Sequence, residues 1–223
     1  MALVIWCLLA LGGCGDDDDD GGRRGASQLL KDAVAETEAA GTARTNFEIT
    51  ISDGGGQSEN FGGEGLVDFE HDRDLSTLEF GGRTLQLFND RGQEYFREGE
   101  SGPYRRFPES AQSPVANNPA DSLKYLGTDV VDVRTADQDD CYEGSLDFKR
   151  IFARVEPGRE AEFPEELRGT KAPVTVCVDG AGRIRQYDVE LDVSGAEVVV
   201  RSTLSDHGRA PALHPLGPDE RPQ

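Results

Sequence analysis

The stretch Pro173-Val-Thr-Val-Cys-Val-Asp-Gly-Ala-Gly-Arg-Ile-Arg-Gln-Tyr-Asp-Val-Glu-Leu-Asp-Val-Ser-Gly-Ala-Glu-Val-Val-Val-Arg-Ser-Thr-Leu204 decides the fold class. Val174, Val176 and Val178 alternate with Thr175, Cys177 and Asp179, the period of two that sends successive side chains to opposite faces of a strand. The turn signals Asp179-Gly-Ala-Gly and Ser194-Gly interrupt the alternation. Three strands are predicted over 173–178, 183–193 and 196–204. Connections this short make them antiparallel neighbours.

The same reading extends upstream. Phe47, Ile49 and Ile51 alternate with Glu48 and Thr50, and Val67 and Phe69 alternate with Leu66, Asp68 and Glu70. Leu78 and Phe80 share a face of a strand over 76–80. Strands over 84–89 (with Leu85 and Leu87), 93–97, 104–107, 128–134 and 141–148 complete the set. In the last of these, Tyr142, Leu146 and Phe148 face one way and Cys141 the other. Asp53–Gln57, Asp72-Arg-Asp, Gly81-Gly82 and Asp90-Arg-Gly read as turns, as does Gly62-Gly63.

Three segments have helical spacing. Ser27 caps a helix to about Ala40, with Leu30, Ala33, Val34 and Thr37 on one face and Gly41 as its stop. Pro119 opens a second helix that carries Leu123, Tyr125 and Leu126 and ends at Gly127. Ile151, Phe152 and Val155 mark a third over 149–155. The predicted class is α+β: a strongly curved antiparallel half-barrel whose apolar face is covered by the helices. Residues that fill a core and residues that line a cavity share one pattern. The candidate set for either role is Phe47, Ile49, Ile51, Val67, Phe69, Leu78, Phe80, Leu85, Leu87, Leu123, Leu126, Leu146, Phe148, Ile151 and Phe152.

The first residues locate the chain. Ala2–Leu11 is an apolar run of ten residues, about 15 Å of helix and half a bilayer core. It ends in Leu11-Gly12-Gly13-Cys14, an aliphatic residue, two small ones and a cysteine. That is the pattern of a lipoprotein signal peptide with Cys14 as the acylated residue, against the blander reading of a plain secretory signal. Two or three acyl chains would anchor the chain stably at the extracytoplasmic face of the cell membrane. Residues 14–26, with the run Asp16–Asp20, then read as a flexible acidic tether. The organisation expected is signal 1–13, tether 14–26, domain 27–208 and a proline-rich tail 209–223.

Cys7 leaves with the signal, so Cys141 and Cys177 remain as an even pair in an oxidising compartment. Both lie on the polar faces of their strands. If those strands are neighbours, a cross-strand disulfide follows.

Of 223 residues, 43 are acidic and 23 basic, a net charge of −20, which excludes general nucleic-acid binding. His71, His207 and His214 have no metal-ligand spacing, and neither a nucleophile elbow nor a phosphate loop occurs. No catalytic group, metal or cofactor is expected.

Four segments together resemble a known family: Phe47-Glu-Ile-Thr-Ile with Gly63-Glu-Gly-Leu-Val-Asp-Phe; Asp121-Ser-Leu-Lys-Tyr-Leu with Val130-Val-Asp-Val and Cys141-Tyr-Glu-Gly-Ser-Leu-Asp-Phe-Lys; Ala172-Pro-Val-Thr-Val-Cys-Val-Asp-Gly-Ala-Gly-Arg-Ile-Arg; and Leu204-Ser-Asp-His-Gly. With the lipobox, the chain is similar to actinobacterial lipoproteins of the LppX/LprG type, of LolA/LolB-like fold, over about residues 27–208. The resemblance implies a half-barrel in which, as in some relatives, acyl chains of lipids or glycolipids are held between sheet and helices and moved across the envelope, with no catalytic group needed. The expectation is a membrane-anchored, monomeric lipoprotein that binds or carries such a ligand. The alternative is the same fold with a filled core, serving as an envelope interaction or sensing lipoprotein.

Overall fold

The computed structural model describes residues 18–53, 55–80, 82–107, 119–153, 167, 169–193, 195–217 and 220. The described chain forms helix α1 (Asp18–Ala39), then strands β1 (Thr42–Ser52), β2 (Ser58–Asp68), β3 (Arg73–Phe80), β4 (Arg83–Asp90), β5 (Gln93–Glu98) and β6 (Arg105–Arg106). Helix α2 (Pro119–Asp129), β7 (Val130–Thr135), β8 (Cys141–Asp147), α3 (Phe148–Phe152), β9 (Lys171–Val178), β10 (Ile184–Val193) and β11 (Ala196–Ser205) follow.

The described strands all belong to one antiparallel sheet in the order β6-β5-β4-β3-β2-β1-β11-β10-β9-β8-β7. Two meanders, β1–β6 and β7–β11, are joined where the first and last strands pair, with Phe47 opposite Ser202 and Ile49 opposite Val200. The sheet is open, its edges being β6 and β7, and α2 carries the chain from one edge to the other. This connection requires curvature. Helix α2 touches both β3 and β8, six positions apart in the sheet. On a flat sheet they would be about 29 Å apart at about 4.8 Å per strand, whereas 11 helical residues span about 16 Å. The expected half-barrel with helices on its concave face is therefore present.

The main core lies under α1 and α2. Leu30, Ala33 and Val34 of α1 and Leu123 and Leu126 of α2 pack on Val133, Val174, Val176, Ile184, Tyr187 and Leu204 of the sheet. Two polar pins orient the helices. The Thr37 hydroxyl donates to the Ala33 carbonyl (2.6 Å) and accepts the Ile184 N–H (2.8 Å), fixing α1 to β10. The fully buried Tyr187 hydroxyl bonds Ser202 of β11 and Ser122 of α2, and burial holds it above its ordinary pKa. A second cluster, Leu146, Phe148, Ile151, Leu167 and Ala172, forms around α3, whose N-cap Asp147 accepts the Lys149 N–H.

Several sequence expectations are corrected. Gly62-Gly63 is not a turn but lies inside β2, as does Gly65. A Cβ on Gly63 would sit 2.4 Å from the Phe47 ring and 2.5 Å from the Thr77 carbonyl, so glycine here serves a close cross-strand approach. Helix α1 begins at Asp18 rather than Ser27, so the part of the tether from residue 18 on is helical. Helix α2 continues past Gly127 to Asp129, because that glycine faces Val34 of α1, 3.4 Å from where its Cβ would be. Phe69 lies in the turn after β2, against the main core. Cys14, the signal peptide and Val155 lie outside the described residues.

The tail is the largest departure. Residues 210–217 lie on the convex face over β3–β5, where Leu213 and Leu216 pack with Leu75, Phe88, Tyr95 and Tyr104. The Leu213 N–H donates to Asp68 (3.0 Å), Arg73 donates to the Leu213 carbonyl (3.1 Å), and the Thr42 hydroxyl donates to the Ala210 carbonyl (2.8 Å). The convex face carries apolar residues of its own here, and the tail is what covers them.

Candidate functional site: a half-covered apolar concave face

The register places the candidate residues in rows across the concave face. One row runs Leu85, Leu78, Gly63, Phe47, Ser202, Tyr187. Another runs Phe61, Ile49, Val200, Val189, and a third Glu59, Ile51, Val198, Leu191. Nearer the helices lie Leu87, Ser76, Gly65, Thr45 and Leu204, and beyond them Asn89, Asp74, Val67 and Ala43.

Burial divides this face. Val67, Leu123, Leu126, Leu146, Phe148 and Ile151 are buried in packed clusters or beneath them. Phe152 is partly buried against the α3 cluster. Phe47, Ile49, Leu78, Leu85 and Leu87 are only half-buried, and Ile51 is 36% exposed. Phe80 closes β3, and its side chain lies outside the described ones. The helices thus seal the face around Val133, Val176, Ile184, Tyr187, Leu204 and Ala43, while the rows beyond them, from Leu85 and Leu78 through Phe47 and Ile49 to Val200 and Val189, stay half-covered.

Sequence reasoning missed Phe61, Phe96, Val198 and Val200, all half-buried and on the same face. Phe61 was hidden because Gly62-Gly63 looked like a turn. Val198 and Val200 were legible, because their alternation with Glu197, Val199 and Arg201 needs only the parity set by Leu204.

The rim is charged. Glu59 faces inward opposite Ile51, Glu98 opposite Leu85, and Arg83 beside Phe80. Among the described residues there is no group of three or more His, Cys, Asp or Glu side chains able to hold a metal. His207 Nε2 donates to the Ile184 carbonyl (3.0 Å). Burial first, and Arg183 second, lower its pKa. On the convex face, Cys141 and Cys177 are directly opposite, with Cα atoms 4.0 Å apart, and they form a disulfide. Beside it a groove of about 540 Å³ runs between Asp132, Arg134, Glu143, Ser145 and Thr175. Its charges are already paired, Arg134 with Glu143 and Asp132 with Lys171.

No protein-family model matches the chain, and no curated protein matches its sequence. Among solved structures it is similar to the Mycobacterium tuberculosis lipoprotein LppX, with a TM-score of 0.54 and 11% identity over 86% of this chain and 99% of that one. It also aligns with a LolA superfamily protein, NE2245 from Nitrosomonas europaea, with a TM-score of 0.43 and 12% identity over 80% of this chain and 91% of that one. The likeness to LppX is a likeness of fold. No helix among the described residues is long and apolar enough to cross a membrane.

Proposed function

We propose that this protein is an extracytoplasmic lipoprotein, anchored through Cys14, that binds the acyl chains of a lipid on its concave face. The observation that carries this reading is the division of the face. One part is sealed by three helices, and the adjoining part leaves Phe47, Ile49, Ile51, Phe61, Leu78, Leu85 and Leu87 half-covered. A contiguous apolar surface of this kind marks a binding surface on a soluble domain. Each methylene it takes from water contributes about 0.8 kcal/mol. The fold shared with a lipoprotein and the lipobox at Leu11–Cys14 support the same reading. The function needs no reacting group, only apolar area and a shape that admits a chain.

The test is direct. Solvent extraction of the purified full-length protein, followed by mass spectrometry, should yield acyl lipid in near-stoichiometric amount. Protein that carries none and takes none up from vesicles overturns the reading in favour of a filled-core interaction lipoprotein. Anchoring is tested separately. Cys14→Ala should move the protein from the membrane pellet to the soluble fraction.

A further inference from the structure

Between the sealed and half-covered parts of the concave face lies a polar step. Thr45 on β1 and Ser76 on β3 flank Gly65 on β2, and all three face inward. Thr45 is 2% exposed and Ser76 3% exposed. The two hydroxyls converge over the glycine. From the position a Gly65 Cβ would take, the Leu75 carbonyl of the neighbouring strand is 2.6 Å away, Thr45 Oγ1 2.8 Å and Ser76 Oγ 3.3 Å. Thr45 Oγ1 nevertheless has no hydrogen-bond partner among the described residues.

A buried hydroxyl without a partner costs free energy, and natural proteins leave few of them. Packing alone would favour valine, which has the same shape and a good strand propensity. The next residue outward on β1 is Phe47, whose ring lies over Gly63 at the start of the half-covered surface. The unpaired hydroxyl therefore stands one row in from where an acyl chain would lie.

We propose that Thr45 and Ser76, with Gly65 between them, form a hydrogen-bonding subsite for a hydroxyl or ester oxygen of the bound lipid. The inference rests on the acyl-chain reading and sharpens it. The ligand is an oxygen-bearing amphiphile held at its polar segment, and a bare hydrocarbon lacks the group that Thr45 is missing. Gly65 matters because any side chain there would occupy the point on which the two hydroxyls converge.

The experiment compares glycerol monooleate with 1-octadecene, retained by the full-length protein after gel filtration and quantified by mass spectrometry. Wild type should retain the monooleate. Thr45→Val should weaken its retention about fivefold to tenfold, the worth of one hydrogen bond, without lowering the melting temperature of the ligand-free protein. Thr45→Ser should keep the retention, and Ser76→Ala should reduce it. Octadecene binding, where present, should be equal in all four. Monooleate retained equally by wild type and Thr45→Val overturns the subsite and leaves the acyl-chain reading standing. Equal loss in Thr45→Ser and Thr45→Val also overturns it, since the methyl group and not the hydroxyl would then matter. Wild type that retains neither compound overturns both readings.

Discussion

At the residue scale the most consequential side chain outside the concave face is Asp68. It is almost fully buried at the end of β2 and accepts the His71 N–H, the His71 Nδ1 and the Leu213 N–H. Burial alone would raise its pKa, but these hydrogen bonds outweigh it and hold the carboxyl below its usual range. A depressed folded-state pKa contributes stability that is present above the unfolded value and is lost as pH falls through the folded one. The docking of the tail should therefore weaken in acid, below about pH 4. Hydrogen exchange at the Leu213 amide should accelerate there before the sheet opens. An amide that stays protected down to global unfolding would show that Asp68 does not hold the tail. Asp68→Ala should cost about 1–3 kcal/mol, read from denaturant midpoints at neutral pH. Gly63 is equally informative. Gly63→Ala should destabilise by about 1–3 kcal/mol, and Phe47→Ala in the same chain should not rescue it, because the Thr77 carbonyl blocks the site as closely as the ring does.

At the element scale, strands were legible and their glycine-containing interiors were not. The alternation at 173–204 locates β9, β10 and β11 to within a few residues, since each face of an inner strand is marked by type. β2 misled because Gly62, Gly63 and Gly65 carry no side chain to report a face, although close cross-strand approach demands glycine at Gly63 and Gly65. Gly127 misled for the same reason, being chosen for its contact with Val34 and not for a helix end. The pairing of Cys141 with Cys177 follows from strand order. Their faces could be read from sequence, whereas their adjacency comes from β8 lying beside β9. The bridge spans a sequence separation of 36, so on chain entropy it contributes about 3–4 kcal/mol. It also ties the β7–β8 edge, and the α3 segment within its loop, to the centre of the sheet. Reduction should lower the denaturant midpoint by that amount while leaving the fold assembled. A midpoint indifferent to reductant would remove the bridge from the account of stability.

At the scale of the whole molecule, the question left by the sequence pattern was which inward residues fill space and which face it. Periodicity cannot separate them, because a strand shows its parity but not what lies opposite. The coverage of the sheet makes that separation: α1, α2 and α3 stand over the end of the face that holds Ala43, Val133, Val176, Ile184, Tyr187 and Leu204, while the rows beyond, on β1–β5, β10 and β11, are half-covered. Two tryptophan substitutions should then behave oppositely. Leu126, at 2% exposure in the main core, has no room for a larger ring. Leu126→Trp should cost about 1–3 kcal/mol from overpacking and affect lipid only through lost stability. Ile49 is half-buried in the middle of the uncovered rows, beside Phe61 and Val200. Ile49→Trp should leave the melting temperature within a degree or two of wild type and abolish retention of acyl lipid, because the ring would lie where the chain must. If Ile49→Trp destabilises as Leu126→Trp does, the two parts of the face are packed alike and there is no space for a chain. If it is stable and still retains lipid, the chain lies elsewhere on the molecule. Only the combination of unchanged stability and lost uptake fits a surface held open for an occupant, and that combination is what distinguishes a carrier from a filled-core relative of the same fold.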